Sequence, residues 1–171
     1  MASTSVALVT GGAGSIGAAV CRRLAESGRA VVVADLEQGP ADAVAADLPG
    51  EHHVGIGLDV ADTDEVREAC GRIERERGPI DVVANVAGWD RFVPFVDTTP
   101  DLWDRVIDVN YRGTLNTVHA VLPRMIERQR GSIVSVASDA ARVGSSMEAV
   151  YAGAKGAVIS FSKSVAREVA K

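Results

Sequence analysis

The chain has 171 residues, 47% of them hydrophobic and 24% charged, with a net charge of −5, the make-up of one globular domain over 1–171 with a sizeable core. The acidic balance leaves no electrostatic footprint for nucleic acid and no basic patch for a membrane surface, so neither partner is expected. No apolar run approaches membrane-spanning length, the opening "MASTSVALVTGG" lacks the basic start of a secretory signal, and Cys21 and Cys70 sit in helical patterns without a ligand spacing; these features predict a cytoplasmic protein with reduced thiols and no metal site.

Taken in order, the elements alternate between short β-branched runs and helical periodicity. The first strand is "VALVT" (6–10), followed by a helix carrying Ile16, Val20 and Leu24 on one stripe and ending at Gly28. Strand two is "AVVVAD" (30–35) and strand three "HVGIGL" (53–58). A helix with Val66, Cys70 and Ile73 on its buried side stops at the Gly78-Pro79 pair and leads into "IDVVAN" (80–85). The next helix starts at "TTPDLW", where a threonine cap precedes proline, and runs through Asn110 toward Pro123. After "SIVSVA" (132–137), a last helix from near Ser146 keeps Val150, Ala154, Ala157, Phe161, Val165 and Val169 on a buried stripe to the chain end. Repeated βα units with aromatic-poor, valine-rich strands predict an α/β fold, a doubly wound parallel sheet with right-handed crossovers.

Three constellations carry chemistry. The turn "TGGAGSIG" (10–17) joins a strand to a helix: Gly11, Gly12 and Gly14 allow close backbone approach, and the helix start points free N–H groups at an anion, as a pyrophosphate site requires. Asp35 ends strand two, eighteen residues after Gly17, where a carboxylate accepts from ribose hydroxyls and repels a 2′-phosphate; it also suits a plain turn cap. Tyr151 and Lys155, in "YAGAK", are four apart on a helix face, whereas Tyr111 has Leu115 at that offset. Lowering a phenol from pKa about 10 to near neutrality takes about 3 to 4 kcal/mol, and an ammonium about 4 Å away supplies on the order of 4 kcal/mol at an effective dielectric near 20.

With these motifs the chain resembles the short-chain dehydrogenase/reductase family over nearly its whole length. The further marks are "LDV" (58–60), "NVAG" (85–88), Asn110, and Ser138 thirteen residues before Tyr151. Ser15 stands where the family has the second of three motif glycines, with a hydroxyl to offer phosphate, and Val86 replaces a second asparagine. The resemblance implies a Rossmann fold of strand order 3-2-1-4-5 and NAD as cofactor. It implies a cofactor site of Gly11, Gly14, Ser15, Ile16, Gly17, Asp35, Leu36, Asp59, Val60, Asn85, Ala87 and Gly88 together with Tyr151 and Lys155. It also implies catalytic roles: Tyr151 as acid/base, Lys155 as its electrostatic partner and ribose anchor, Ser138 as donor to the substrate oxygen, and Asn110 as holder of a relay water. Family chains continue past this last helix into a sixth strand and a substrate-covering segment, so the sequence is expected to be part of a longer product or a shortened member.

The expected reaction is interconversion of a secondary alcohol and a ketone. The loops "GWDRFVPF" (88–95) and "SDAARVGSSMEAVY" (138–151) resemble those of members acting on 2-hydroxycycloalkyl-CoA thioesters, and a β-hydroxyacyl-CoA is the related substrate. Trp89, Phe92, Phe95, Val143 and Met147 would wall an apolar ring or chain, with Arg91 and Arg142 meeting oxygens; as solvated loop charges, the arginines would instead partner Asp90 and Asp139. The alternatives are a 3-oxoacyl-[acyl-carrier-protein] reductase, an idle NAD-binding or oligomerisation module, and, more remotely, an epimerase-like relative. A homo-oligomer, tetramer or dimer, is expected through the fourth and last helices, with Leu102, Trp103, Val118 and Phe161 as outer-face candidates.

Overall fold

In the computed structural model, which describes residues 5–170, five strands form one parallel sheet in the order β3-β2-β1-β4-β5. They are β1 Val6–Thr10, β2 Ala30–Asp35, β3 Val54–Gly57, β4 Ile80–Asn85 and β5 Ser132–Ser135. The chain runs outward from β1 through β2 to β3, then crosses back to lay β4 on the other side of β1. Strand order reverses between β1 and β4, and at such a reversal an open parallel sheet leaves a crevice beyond the strand carboxyl ends.

Side-chain alternation feeds two cores. Leu8, Val32, Ile56 and Val83 face Val66, Cys70 and Ile73 of α3 (Thr63–Arg77) and Val121 and Met125 of α5 (Gly113–Glu127). Their strand neighbours Val9, Val31 and Val33 face Cys21 and Ala25 of α1 (Ser15–Glu26) and Ala41 and Ala45 of α2 (Gln38–Ala46). The predicted stripe of α1 is thus rotated: Gly17, Cys21 and Ala25 are buried, Val20 and Leu24 are half-buried, and Ile16 is 61% exposed beside the crevice.

The predicted fourth helix is three segments in succession: α4 (Pro100–Ile107), one π-helical turn (Asp108–Arg112) and α5. Thr99 caps α4, its hydroxyl accepting from Leu102 N–H at 3.4 Å, and the π-turn closes with Gly113 N–H donating to Asp108 C=O. Pro123 lies inside α5.

A short α6 (Ala140–Val143) precedes α7 (Ala149–Val169), which starts three residues later than the sequence implies. On α7 only Ala154, Lys155 and Val158 are buried; Val150, Ala157, Phe161 and Val165 are half-buried and Val169 is exposed. The tight contacts come from the amino-terminal half, which packs on α6, α4 and the π-turn. Lys171 and residues 1–4 of the expected 1–171 domain lie outside the described residues. Among the outer-face candidates, Val118 is a core residue at 4% exposure. Leu102 and Trp103 are half-buried, the latter stacked on Phe95, and Phe161 meets Tyr111 edge-on.

Candidate active site

The crevice is a cleft of about 610 Å³ at the carboxyl ends of β1, β2 and β4. Its floor is the glycine turn. Gly11 has φ +63°, and a Cβ there would stand 2.7 Å from Ala87 Cα, so the turn and the "NVAG" segment touch backbone to backbone. Thr10 Oγ1 holds that contact by accepting from Val86 N–H at 3.2 Å and Ala87 N–H at 3.3 Å. Gly14 is the N-cap of α1 and has no side chain to satisfy the first-turn amides, so they point into the cleft as an anion site. Gly17 works differently: a Cβ there would lie 2.0 Å from Gly11 C=O, so its role is to let α1 sit against the turn.

Asp35 caps the turn that it ends and stands in the cleft wall. One carboxylate oxygen accepts from Ala13 N–H and the other from Leu36 N–H, each at 2.9 Å, which braces the glycine turn while leaving lone pairs toward the cleft. Ile16, Leu36, Asp59, Val60, Ala87 and Gly88 line the cleft as expected. Asn85 does not: it is buried beneath, accepting from Thr117 Oγ1 at 2.6 Å and donating to Ser135 Oγ at 3.2 Å, and so it ties β4 to α5 and β5. The fit to a dinucleotide rests on this backbone cradle, the uncapped amides and the carboxylate at the end of β2.

Beside the cleft stand the four expected catalytic residues. Asn110, fully buried within the π-turn, donates through Nδ2 to Trp89 C=O at 2.5 Å and Val106 C=O at 2.9 Å. Its Oδ1 is buried with no donor. Lys155 is 3% exposed and its Nζ donates to Val136 C=O at 3.0 Å. A Cβ placed on Gly88 would meet Asn110 Oδ1 at 3.0 Å and Lys155 Nζ at 3.5 Å, so both polar atoms converge on the space that the glycine leaves. Burial pushes the Lys155 pKa down. Tyr151 lies one turn before it on α7, with Nζ 5.7 Å from the ring centroid. The Ser138 hydroxyl accepts from Ala140 N–H at 3.2 Å at the start of α6, which packs on α7.

The expected substrate residues divide. Phe95 and Met147 line a second, smaller recess with Arg91, Leu102 and Glu148, where Val93 N–H donates to Met147 C=O at 3.0 Å and ties the two loops. Phe92, Phe95, Val143 and Met147 are all exposed, and so are Arg91 and Arg142. Among the described residues Asp90 forms no ion pair with the Arg91 guanidinium: its Oδ2 is buried without a donor, and burial, with the Glu148 carboxylate beside it, raises its pKa against the lowering effect of the Arg91 backbone N–H. Trp89 instead belongs to the dinucleotide cleft, where Arg105 lies 4.0 Å over its ring. Arg105 and Val109, both in the cleft wall, went unread in the sequence. Their four-residue spacing, one helical turn ending just before Asn110, is the signal that would have found them.

A family model described as short chain dehydrogenase matches residues 5–171. A short chain dehydrogenase of Pseudocercospora fijiensis is 35% identical over 167 residues, 95% of this chain and 54% of that one. D-threitol dehydrogenase of Mycolicibacterium smegmatis is 38% identical over 165 residues, covering 95% and 64%. The 3-oxoacyl-[acyl-carrier-protein] reductase FabG of Thermotoga maritima is 35% identical over 168 residues, covering 96% and 68%. Among solved structures, an NAD+-bound xylitol dehydrogenase superposes with a TM-score of 0.93 at 32% identity, covering 99% of this chain and 67% of that one. The chain therefore spans between about half and two thirds of the length of these relatives. With the matched model running from the first strand to the last helix, and the glycine turn, Asn110, Ser138, Tyr151 and Lys155 gathered at one end of the sheet, the chain belongs to the short chain dehydrogenase family.

Proposed function

We propose that the protein is an NAD-dependent oxidoreductase that interconverts a secondary alcohol and its ketone. The observation that carries this reading is the convergence of the orphaned Asn110 Oδ1 and the Lys155 ammonium on the space at Gly88, one helical turn from Tyr151 and at the edge of the dinucleotide cleft. A nicotinamide bound in the cleft supplies or accepts the hydride. The chain's own residues handle the proton: Tyr151 exchanges it with the substrate oxygen, Ser138 donates to that oxygen, and Lys155 stabilises the phenolate and, through a water held by Asn110 Oδ1, passes the proton outward. Asp35 favours NAD, because its carboxylate at the ribose end of the cleft repels a 2′-phosphate.

For the substrate we favour a 2-hydroxycycloalkyl or β-hydroxyacyl thioester of coenzyme A. Support comes from the exposed apolar rim of Phe92, Phe95, Val143 and Met147 flanked by Arg91 and Arg142, which suits an apolar acyl group ending in a phosphate-bearing carrier. Reduction of a 3-oxoacyl group on acyl carrier protein is the rival reading, favoured by the Thermotoga relative and opposed by Asp35. We also propose a cytoplasmic homo-oligomer joined through α4, α5 and α7, on whose exposed faces Ile107, Ile126 and Val169 stand; no described helix is long and apolar enough to cross a membrane.

The test follows NADH formation by the protein in its full natural length, on cyclic and linear hydroxyacyl-CoA, the free acids and a sugar alcohol. Tyr151→Phe is expected to abolish turnover and keep NAD binding, whereas Lys155→Met damages both. Turnover above a few per cent in Tyr151→Phe would remove the phenol from the mechanism. Best activity on the sugar alcohol would overturn the substrate reading alone.

A further inference from the structure

The dinucleotide cleft has an unequal charge distribution. Asp35 and Asp59 line it, and among its lining residues Arg105 is the one cation. The guanidinium, on the last turn of α4, stands over the Trp89 ring with its central carbon 4.0 Å from the centroid. The Trp89 backbone is anchored in turn, its carbonyl accepting from Asn110 Nδ2 at 2.5 Å. Among the described residues Arg105 forms no ion pair, whereas Arg112, on the next turn, is engaged by Asp108 at 2.6 Å. A braced guanidinium without a carboxylate, facing a cleft whose other charges are negative, is poised for an anion. Across the cleft, the uncapped amides at the start of α1 supply only the partial charge of a helix terminus.

We infer that Arg105, laid on the Trp89 ring, is the side chain that binds the pyrophosphate of the dinucleotide, closing over it from the α4 side while the α1 amides hold it from below. The inference rests on the dinucleotide reading of the cleft. Stacking on an aromatic face leaves the N–H edge of a guanidinium available for phosphate oxygens, so the same side chain does both. Lysine keeps the charge without the planar fork, and glutamine keeps hydrogen bonding without the charge.

The experiment measures dissociation constants by calorimetry for NAD, ADP and adenosine, on the unaltered protein and on Arg105→Gln, Arg105→Lys and Trp89→Leu. Arg105→Gln is expected to weaken ADP and NAD by about tenfold or more, the loss of one charge-assisted contact, and to leave adenosine within about twofold. Arg105→Lys restores part of the loss. Trp89→Leu, which removes the brace, weakens ADP more than adenosine. Adenosine binding doubles as the check that each variant is folded. An ADP affinity unchanged in Arg105→Gln, or an equal loss for adenosine and ADP, overturns the assignment and leaves the dinucleotide reading standing. Failure of the unaltered protein to bind either NAD or ADP overturns that reading and the assignment with it.

Discussion

Replacing Gly17 with alanine isolates what the glycine turn does for the fold from what it does for a ligand. The new Cβ would stand 2.0 Å from Gly11 O, 2.8 Å from Gly11 C and 2.8 Å from Gly12 Cα, all backbone atoms. An ordinary C···O contact is roughly 3.3 Å or more, so α1 must lift from the turn by about an ångström. Overpacking against side chains costs about 1 to 3 kcal/mol; here nothing can rotate away, so the upper end applies. Alanine returns up to about 1 kcal/mol of helix propensity. The net destabilisation is therefore about 2 kcal/mol, which moves a urea midpoint down by about 1 M for a slope near 2 kcal/mol per molar. Gly14→Ala is the control: its Cβ would sit 3.4 Å from Gly11 O, an ordinary contact, at φ −72° and ψ 163°, which any residue adopts. That variant should unfold within about 0.3 M of the parent. If Gly17→Ala also stayed within that margin, the close seat of α1 on the turn would be wrong.

Titration of Asp90 gives a second expectation. Burial and the neighbouring Glu148 carboxylate raise its folded pKa above the ordinary 3.8, so across the window between the two values the folded state holds more proton than the unfolded one, and stability falls as pH rises through it. Urea midpoints measured from acid to neutral pH should show that fall in the parent and a shallower one in Asp90→Asn; parallel curves would remove Asp90 from the balance. Burial pushes Cys21 up to about 12 and Cys70 up to about 11, so neither thiol should react with iodoacetamide at pH 8 until the protein is unfolded, and labelling of the native protein in minutes would contradict their packing.

Much of this was legible in the chain, and the exceptions share a cause. β1, β2 and β4 fall on their predicted bounds because each is a β-branched run buried on both faces and closed by turn residues. The outer strands β3 and β5 are shorter than their apolar runs, since each pairs on one side only. The helix at α2 gave no large apolar stripe: it seats Ala41 and Ala45, and its backbone comes so near β3 that a Cβ on Gly55 would lie 2.3 Å from Asp42 N. Composition hides a contact made by the absence of side chains. Tyr151, Lys155, Ser138 and Asn110 were readable from spacing and family pattern, whereas Asn85 was assigned to the cleft and lies under it, and Arg105 was passed over in a polar helix. Asn85 is held by Thr117 of α5 and Ser135 of β5, and Arg105 of α4 meets Trp89 beyond β4; both are contacts between separate elements, which no local periodicity carries.

The π-turn at Asp108–Arg112 can be regarded as a single surplus residue in an otherwise continuous helix. A residue advances an α-helix by about 100°, so the surplus lets one rod present two faces out of phase. The stretch before it turns Val106 inward near the loop recess, and the stretch after it turns Val118, Val121 and Met125 onto the protein core. The cost is a run of wider, weaker backbone bonds, and Asn110 is what that cost secures. A straight helix would be the steadier rod, but it would have to aim one of its two halves the wrong way. Insertions and deletions between Ile107 and Gly113 are therefore confined far more narrowly than the exposed polar residues around them suggest: a change of one residue rephases everything on one side of it, and the buried Asn110 and the core helix cannot both follow.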